Sequence, residues 1–377
     1  MSALPDSLFR QIVDCLWQHD QAALMRVSRR FRRIVEPIMY KDITLSRRRR
    51  TGKFKRCCKK NPAMAKRVTS LTVDATTHML WHFNHDPPFA PPHLWKPSKI
   101  CHALEYMDNL ESLHLTTAYF PEYGDFYDED PDSDDQWRRH EQKLERTFER
   151  ATHIFHPAPD AERRILPRLT TLTLSAQLLG PDRHRAPLPG LTVFFIPTLR
   201  TLSIANHDIS HCTTWGNGGY LHLDRRHRRS TALRALRLAN CRLHEPSLRR
   251  ILECPRALAD FALTVDPPAP DAASSSDTYP DGVNLFAWSA EGLAAALREQ
   301  RDALERLELY VGGKRRGLPG DELGGPVRGT LDLREMERLA EVRCLHAGRR
   351  LSKRRLLLRE GVEVEYRDLL EVPTCDG

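Results

Sequence analysis

Along the chain, clusters of the form apolar-x-x-apolar-x-apolar recur. They are VTSLTV (68–73), LESLHL (110–115), LTTLTL (169–174), LRTLSI (199–204), LRALRL (233–238), LADFAL (258–263) and LERLEL (304–309). Leu339, Val342 and Cys344 make a weaker eighth copy, and VEVEY (362–366) reads as a terminal strand. Each cluster predicts a short strand whose alternate side chains enter one long core. Neighbouring strands would stack in parallel, each repeat hiding the apolar face of the next. At about 1.5–3 kcal/mol per buried Leu or Ile, seven copies make a credible core. A periodic strand pattern alone also fits a doubly wound α/β domain, but the repeated motif and the lack of a Gly-rich phosphate loop argue against that.

Between fourth positions the copies lie 42, 59, 30, 34, 25 and 46 residues apart. Regular leucine-rich repeats run about 20–29 residues, so the excess must form helices and loops. SLRRIL (247–252), SAEGLAAALREQRDAL (289–304) and WRRHEQKLERTFERATHIF (137–155) read as helical returns. The fifth copy continues as LRALRLANCRL, with Cys241 and Leu243 where a leucine-rich repeat expects them. His207 and Gln177 stand at the Asn-or-Cys position of two others.

Ahead of the first cluster the period changes from strand to helix. Leu8, Ile12 and Leu16 fall at i, i+4 spacing, with Phe9 and Val13 beside them. Pro5 suits a first helical position. A second helix is predicted over Gln21 to Val27. A third begins near Ser28, carries Phe31, Ile34 and Val35, and should end at Pro37. Ile43 and Leu45 then alternate as a strand. Three short helices bury little surface alone, and the apolar residues fall on more than one face, which predicts a covering partner.

The series Leu4-Pro5, Leu8, Ile12, Leu16, Asp20, Leu24, Val27-Ser28-Arg29-Arg30-Phe31, Pro37, Tyr40, Ile43, Leu45 resembles an F-box in order and spacing. The resemblance implies docking on a Skp-type adaptor that bridges to a cullin ubiquitin ligase. Leu4, Pro5, Leu8, Ile12, Leu16, Leu24, Val27 and Phe31 would form that interface or the module's own core. The rest resembles, more weakly, the divergent leucine-rich domains found behind F-boxes. The implied fold is α/β: a three-helix F-box (1–46), a basic linker or helix (47–66), then an irregular leucine-rich-repeat solenoid (67–370). Flexible insertions are expected near 119–136 and 266–282, and residues 371–377 form a tail.

Composition narrows the picture. The chain has 377 residues, 58 Lys and Arg against 50 Asp and Glu, and a net charge of +8. Arginines outnumber lysines 47 to 11 and are dispersed, which argues for compositional bias over a nucleic-acid partner. No lysine occurs between Lys143 and Lys314, a gap that the arginine bias explains. A receptor held beside a ubiquitin-charged enzyme would also benefit from it. No run approaches the roughly 18–20 apolar residues of a membrane span, and the first residues lack the continuous apolar stretch of a secretory signal. Nine scattered cysteines without a CxxC pair predict a reducing compartment, cytoplasmic or nuclear.

Four segments stand outside the repeat. RRRRTGKFKRCCKK (47–60) is basic: a solvated helix face, or an import signal or acidic-partner patch. HMLWHFNHDPPFAPPHLW (78–95) holds His78, His82, His85 and His93, but no Cys or carboxylate completes a zinc set, so a packed rim loop or a binding loop is expected. Eight acidic residues lie between Glu122 and Asp135, in an insertion that would be disordered, dock on 47–60 or bind a basic partner. Residues 266–282 are rich in Pro, Ser and Asp.

Enzymatic motifs are missing: there is no GxSxG, P-loop, HExxH or GxGxxG after a strand. Basic surroundings would lower the thiol pKa of Cys57 and Cys58, but no oriented histidine base accompanies them. The expected role is therefore non-catalytic and needs no cofactor: a substrate receptor binding the Skp-type adaptor at one end and an unidentified target protein at the other. Two rivals are a leucine-rich scaffold acting outside a ubiquitin ligase and a nucleic-acid-associated protein.

Overall fold

A computed structural model describes residues 4–46, 48–74, 98–119, 131–152, 165–178, 186–187, 191–209, 228–241, 243, 245–265, 288–311, 327–328, 331–346 and 356–368. The chain is α/β, with parallel strands and helical returns. It forms two compact units, one of Met1–Thr117 with Arg138–Leu172, the other of Ala118–Trp137 with Thr173–Gly377.

The first unit opens with three helices, α1 (Asp6–Asp14), α2 (Gln18–Val27) and α3 (Arg29–Met39). Pro5 is the N-cap of α1, one residue ahead of the expected first helical position. The second helix starts three residues earlier than its apolar period indicates. Ser28 caps α3: its Oγ accepts from the Phe31 N–H at 3.1 Å. Pro37 does not end α3, which runs on to Met39. Near a C-terminus a proline removes only one intrahelical donor, and few residues follow for it to disrupt. Gln21 is buried and closes the end of α1, its Nε2 donating to the Val13 and Leu16 carbonyls at 2.9 and 3.1 Å.

Next come β1 (Asp42–Leu45), α4 (Arg48–Lys60), α5 (Pro62–Ala65), β2 (Ser70–Asp74), α6 (Ser98–Leu104) and β3 (Ser112–Tyr119). The basic run is thus helical. Thr51, Phe54 and Cys58 line the buried side of α4 at i, i+3, i+7, leaving Lys53, Arg56, Lys59 and Lys60 in solvent. β1, β2 and β3 pair in parallel, bringing Ile43, Leu71 and Leu113 into one row and Leu45, Val73 and Leu115 into the next.

Strand β3, helix α7 (Pro131–Thr152) and strand β4 (Thr171–Leu178) have residues in both units. Residues 131–136, at the end of the insertion expected at 119–136, are helical. Pro131 suits a first helical position. The segments 78–95 and 266–282 and the tail 371–377 lie outside the described residues.

The second unit continues with β5 (Thr201–Ala205), β6 (Ala235–Ala239), α8 (Glu245–Glu253), β7 (Asp260–Val265), α9 (Ala290–Arg298), β8 (Arg306–Val311), β9 (Glu341–His346) and β10 (Glu363–Asp368). From β5 to β10 successive strands pair in parallel and in motif register. Leu202, Leu236, Phe261, Leu307 and Val342 make one buried row; Ile204, Leu238, Leu263, Leu309 and Cys344 make the next. β10 ends the ladder with Val364 only half-buried. α9 stops at Arg298, short of the helical stretch predicted to 304, and turns lead from there into β8.

The structure explains all three apolar positions of the motif. The first, Val68, Leu110, Leu169, Leu199, Leu233, Leu258, Leu304 and Leu339, is buried in the turn before each strand; the second and third point inward from the strand. A repeated backbone junction sets the register. The carbonyl before one strand accepts two N–H groups from the next: Thr69 from Glu111 and Ser112, Arg200 from Arg234 and Ala235, Ala259 from Glu305 and Arg306, Glu305 from Ala340 and Glu341. After β5 and β6 the chain turns through Asn206 and Asn240, at φ of 60° and 52°, a left-handed conformation that Asn tolerates. The Asn206 amide donates to the Ala176 carbonyl at 2.8 Å, and the Cys241 thiol to the Ile204 carbonyl at 3.4 Å. His207, Cys241 and Leu243 are buried; the Gln177 side chain is outside the described set.

Gln300 locks a helical return to the ladder. It is buried, donates to the Leu252 and Pro255 carbonyls at 2.6 and 3.0 Å, and accepts from the Leu258 N–H at 2.9 Å.

Candidate functional site

Among the described residues, the N-terminal helices hold the clearest exposed apolar surface. Six large hydrophobic residues are exposed among the described residues, and five lie in the first 27 positions: Leu4 (45%), Leu8 (47%), Ile12 (49%), Trp17 (76%) and Val27 (66%). Helix geometry accounts for this. At about 100° per residue, Phe9 and Val13 make one apolar stripe on α1, while Leu8 and Ile12 make a second, displaced by about 100°. The first stripe packs inward. Val13 is fully buried with Ile34 and Val35, and Phe9 stacks on Phe31 with ring centroids 4.6 Å apart and planes inclined by 17°. The second stripe meets solvent.

Polar contacts fix the module's shape. The Arg30 guanidinium donates to Asp6 Oδ1 at 2.8 Å and to the Leu4 carbonyl at 3.0 Å, tying the entry of α1 to α3. These groups are exposed, so the pair orients more than it stabilises.

The eight residues assigned by resemblance divide accordingly. Leu4, Pro5, Leu8, Ile12 and Val27 are exposed, while Leu16, Leu24 and Phe31 are half-buried. Phe31 belongs mainly to the module's own packing. Sequence reasoning missed Trp17, the most exposed of the set and the N-cap of α2. It follows Leu16 directly and so falls off the i, i+4 rows, and its bulk beside a helix start was the only signal.

Features read as possible chemistry separate from this surface. The Cys58 thiol is buried, and burial pushes its pKa up to about 12. The expected activation by basic neighbours is thus overturned at Cys58: burial disfavours the thiolate, the adjacent Cys57 raises the pKa further, and only a backbone hydrogen bond acts the other way. Burial also raises Cys254 to about 12 and Cys344 to about 11. His102 accepts from the Lys143 ammonium at 2.6 Å, and burial followed by the Lys143 charge lowers its pKa. Among the described residues, no three His, Cys, Asp or Glu side chains are placed to hold a metal ion, and no helix is long and apolar enough to cross a membrane. His78, His82, His85 and His93 lie outside the described residues.

No protein-family model matches the chain, and no curated protein shows significant similarity to it.

Proposed function

We propose that this chain is the substrate-recognition subunit of an SCF-type (Skp, cullin, F-box) ubiquitin ligase. In this reading residues 4–45 form the F-box, and the parallel strands with their irregular returns form a leucine-rich-repeat solenoid that holds the target. One observation carries the reading. Leu4, Leu8, Ile12 and Val27, left in solvent by the N-terminal helices, are all positions of the F-box-like series. A preformed apolar groove on a Skp-type adaptor would cover the stripe in the helix-in-groove manner. At about 25 cal/mol per Å² of apolar area removed from water, a stripe of this kind supplies useful binding energy. Ubiquitin transfer belongs to a separate enzyme, and this chain contributes proximity and orientation.

The test is co-purification of the full chain with a Skp-type adaptor and a cullin, against Leu8→Asp with Ile12→Asp and against a chain lacking residues 1–45. Both variants should lose adaptor and cullin together. Undiminished capture by the double variant would remove the interface. Capture of adaptor without cullin would assign the chain to a scaffold outside the ligase.

A further inference from the structure

On the strands of the second unit, residues between the buried ones point away from the core. Register sets Ser203, Arg237, Ala262, Glu308, Arg343 and Glu365 in one outward row. Toward the C-terminus the face neutralises its own charge. Arg306 makes a two-point pair with Asp260, its Nη2 2.7 Å from Oδ2, and Arg343 reaches both Glu341 and Glu365, the latter at 3.1 Å.

Arg237 breaks this rule. It is exposed, and the residues directly beside it are small, Ser203 and Ala262 across the row and Ala235 and Ala239 along the strand, while Asp260 on the diagonal is taken up by Arg306. It makes no ion pair with any described residue. Arg200 and Arg234, which adjoin each other in the turns leading into β5 and β6, are likewise exposed and unpaired among the described residues.

We propose that this β5–β6 face docks an acidic segment, a run of Asp or Glu side chains, of the target protein. The floor of Ala and Ser lets an extended peptide approach closely, and the Arg237 fork can take a carboxylate at two points. Three guanidinium groups, those of Arg200, Arg234 and Arg237, suit successive carboxylates better than one phosphate. The inference rests on the receptor reading only in calling the ligand a target. Its assay contains no adaptor, so its failure is distinguishable from loss of adaptor capture.

Fluorescence anisotropy of a labelled decaglutamate peptide titrated with the full chain, at about 0.15 M salt, tests it. Arg237→Glu should weaken binding about tenfold or more, and Arg237→Gln should weaken it less. Arg10→Glu removes the same charge from an exposed site elsewhere and should change affinity less than about twofold. Equal weakening by Arg237→Glu and Arg10→Glu, or none by either, overturns the proposal. So does tighter, Arg237-dependent binding of a peptide with one phosphoserine and no glutamates, which would make the face a phosphate reader. A tenfold gain on deleting residues 122–130 would assign the face to the chain's own acidic run and overturn it too.

Discussion

Strand β6 and helix α1 place similar residues in opposite surroundings. Leu236 and Leu238 on β6 are about 99% or more buried, each flanked in register by an inward side chain of the strand on either side. Leu8 and Ile12 on α1 are regularly spaced too, yet about half of each meets solvent. The difference lies in what completes each element. A strand in a parallel ladder has two faces, and here the repeat fills one of them at every turn. A short helix with two apolar stripes needs two neighbours, and the module supplies one. Apolar periodicity therefore reports burial in the ladder, whereas in the N-terminal helices it marks one stripe that is covered and one that stays in water.

The sharpest way to break this contrast is to truncate a ladder residue. Leu236→Ala leaves a cavity between Leu202 and Phe261, and a buried Leu→Ala change costs about 2–5 kcal/mol. Urea unfolding should show a loss of that size in the unit containing β6. A cost below about 1 kcal/mol would mean that the row is not closely packed and that the contrast with α1 is false.

Thiol titration sharpens the comparison through pH. Cys254 is buried behind the ladder, its Sγ donating to the Arg250 carbonyl at 3.2 Å, and burial raises its pKa to about 12. An unfolded thiol ionises near 9, so between about pH 9 and 12 the unfolded state binds fewer protons than the native one. Stability contributed by the buried thiol is complete below pH 9 and falls as pH rises, by about 1.4 kcal/mol per pH unit for one full proton. Cys254→Ala should flatten the alkaline fall in unfolding free energy by about that slope. Equal slopes in the wild type and Cys254→Ala would show that the ladder thiol is accessible in the native state.

Much of the ladder was legible because its rule is local. Three apolar positions in six residues specify a turn and the inward side of a strand, and every copy from 68–73 to the terminal one forms a strand in the expected place. Helix ends were less legible. Pro37 stops a helix only where enough helix would follow, and the apolar period of α2 is silent about Gln18 to Asp20, which carry no hydrophobic residue. The fate of each α1 stripe was illegible, since Leu8, Phe9, Ile12 and Val13 are alike as residue types and only the placement of Ile34, Val35 and Phe31 decides which pair is covered. Arg237 was hidden for a related reason. That no described residue pairs with it depends on Ser203 and Ala262, 34 and 25 residues away, being set beside it by strand register.

The smallest expected effect discriminates as well as the largest. Leu8→Ala with Ile12→Ala removes more apolar atoms than Leu236→Ala, so a rule based on residue type alone expects the greater loss. Here the side chains are half in water, no cavity can form at an open surface, and Ile→Ala within an exposed helix gains a few tenths of a kcal/mol in helix propensity. The double substitution should therefore change unfolding free energy by less than about 1 kcal/mol, with an unchanged far-ultraviolet circular dichroism spectrum. A loss above about 2 kcal/mol would mean that Leu8 and Ile12 hold the module together from within. The exposed stripe would then be structural, leaving no apolar face on α1 for an adaptor to cover.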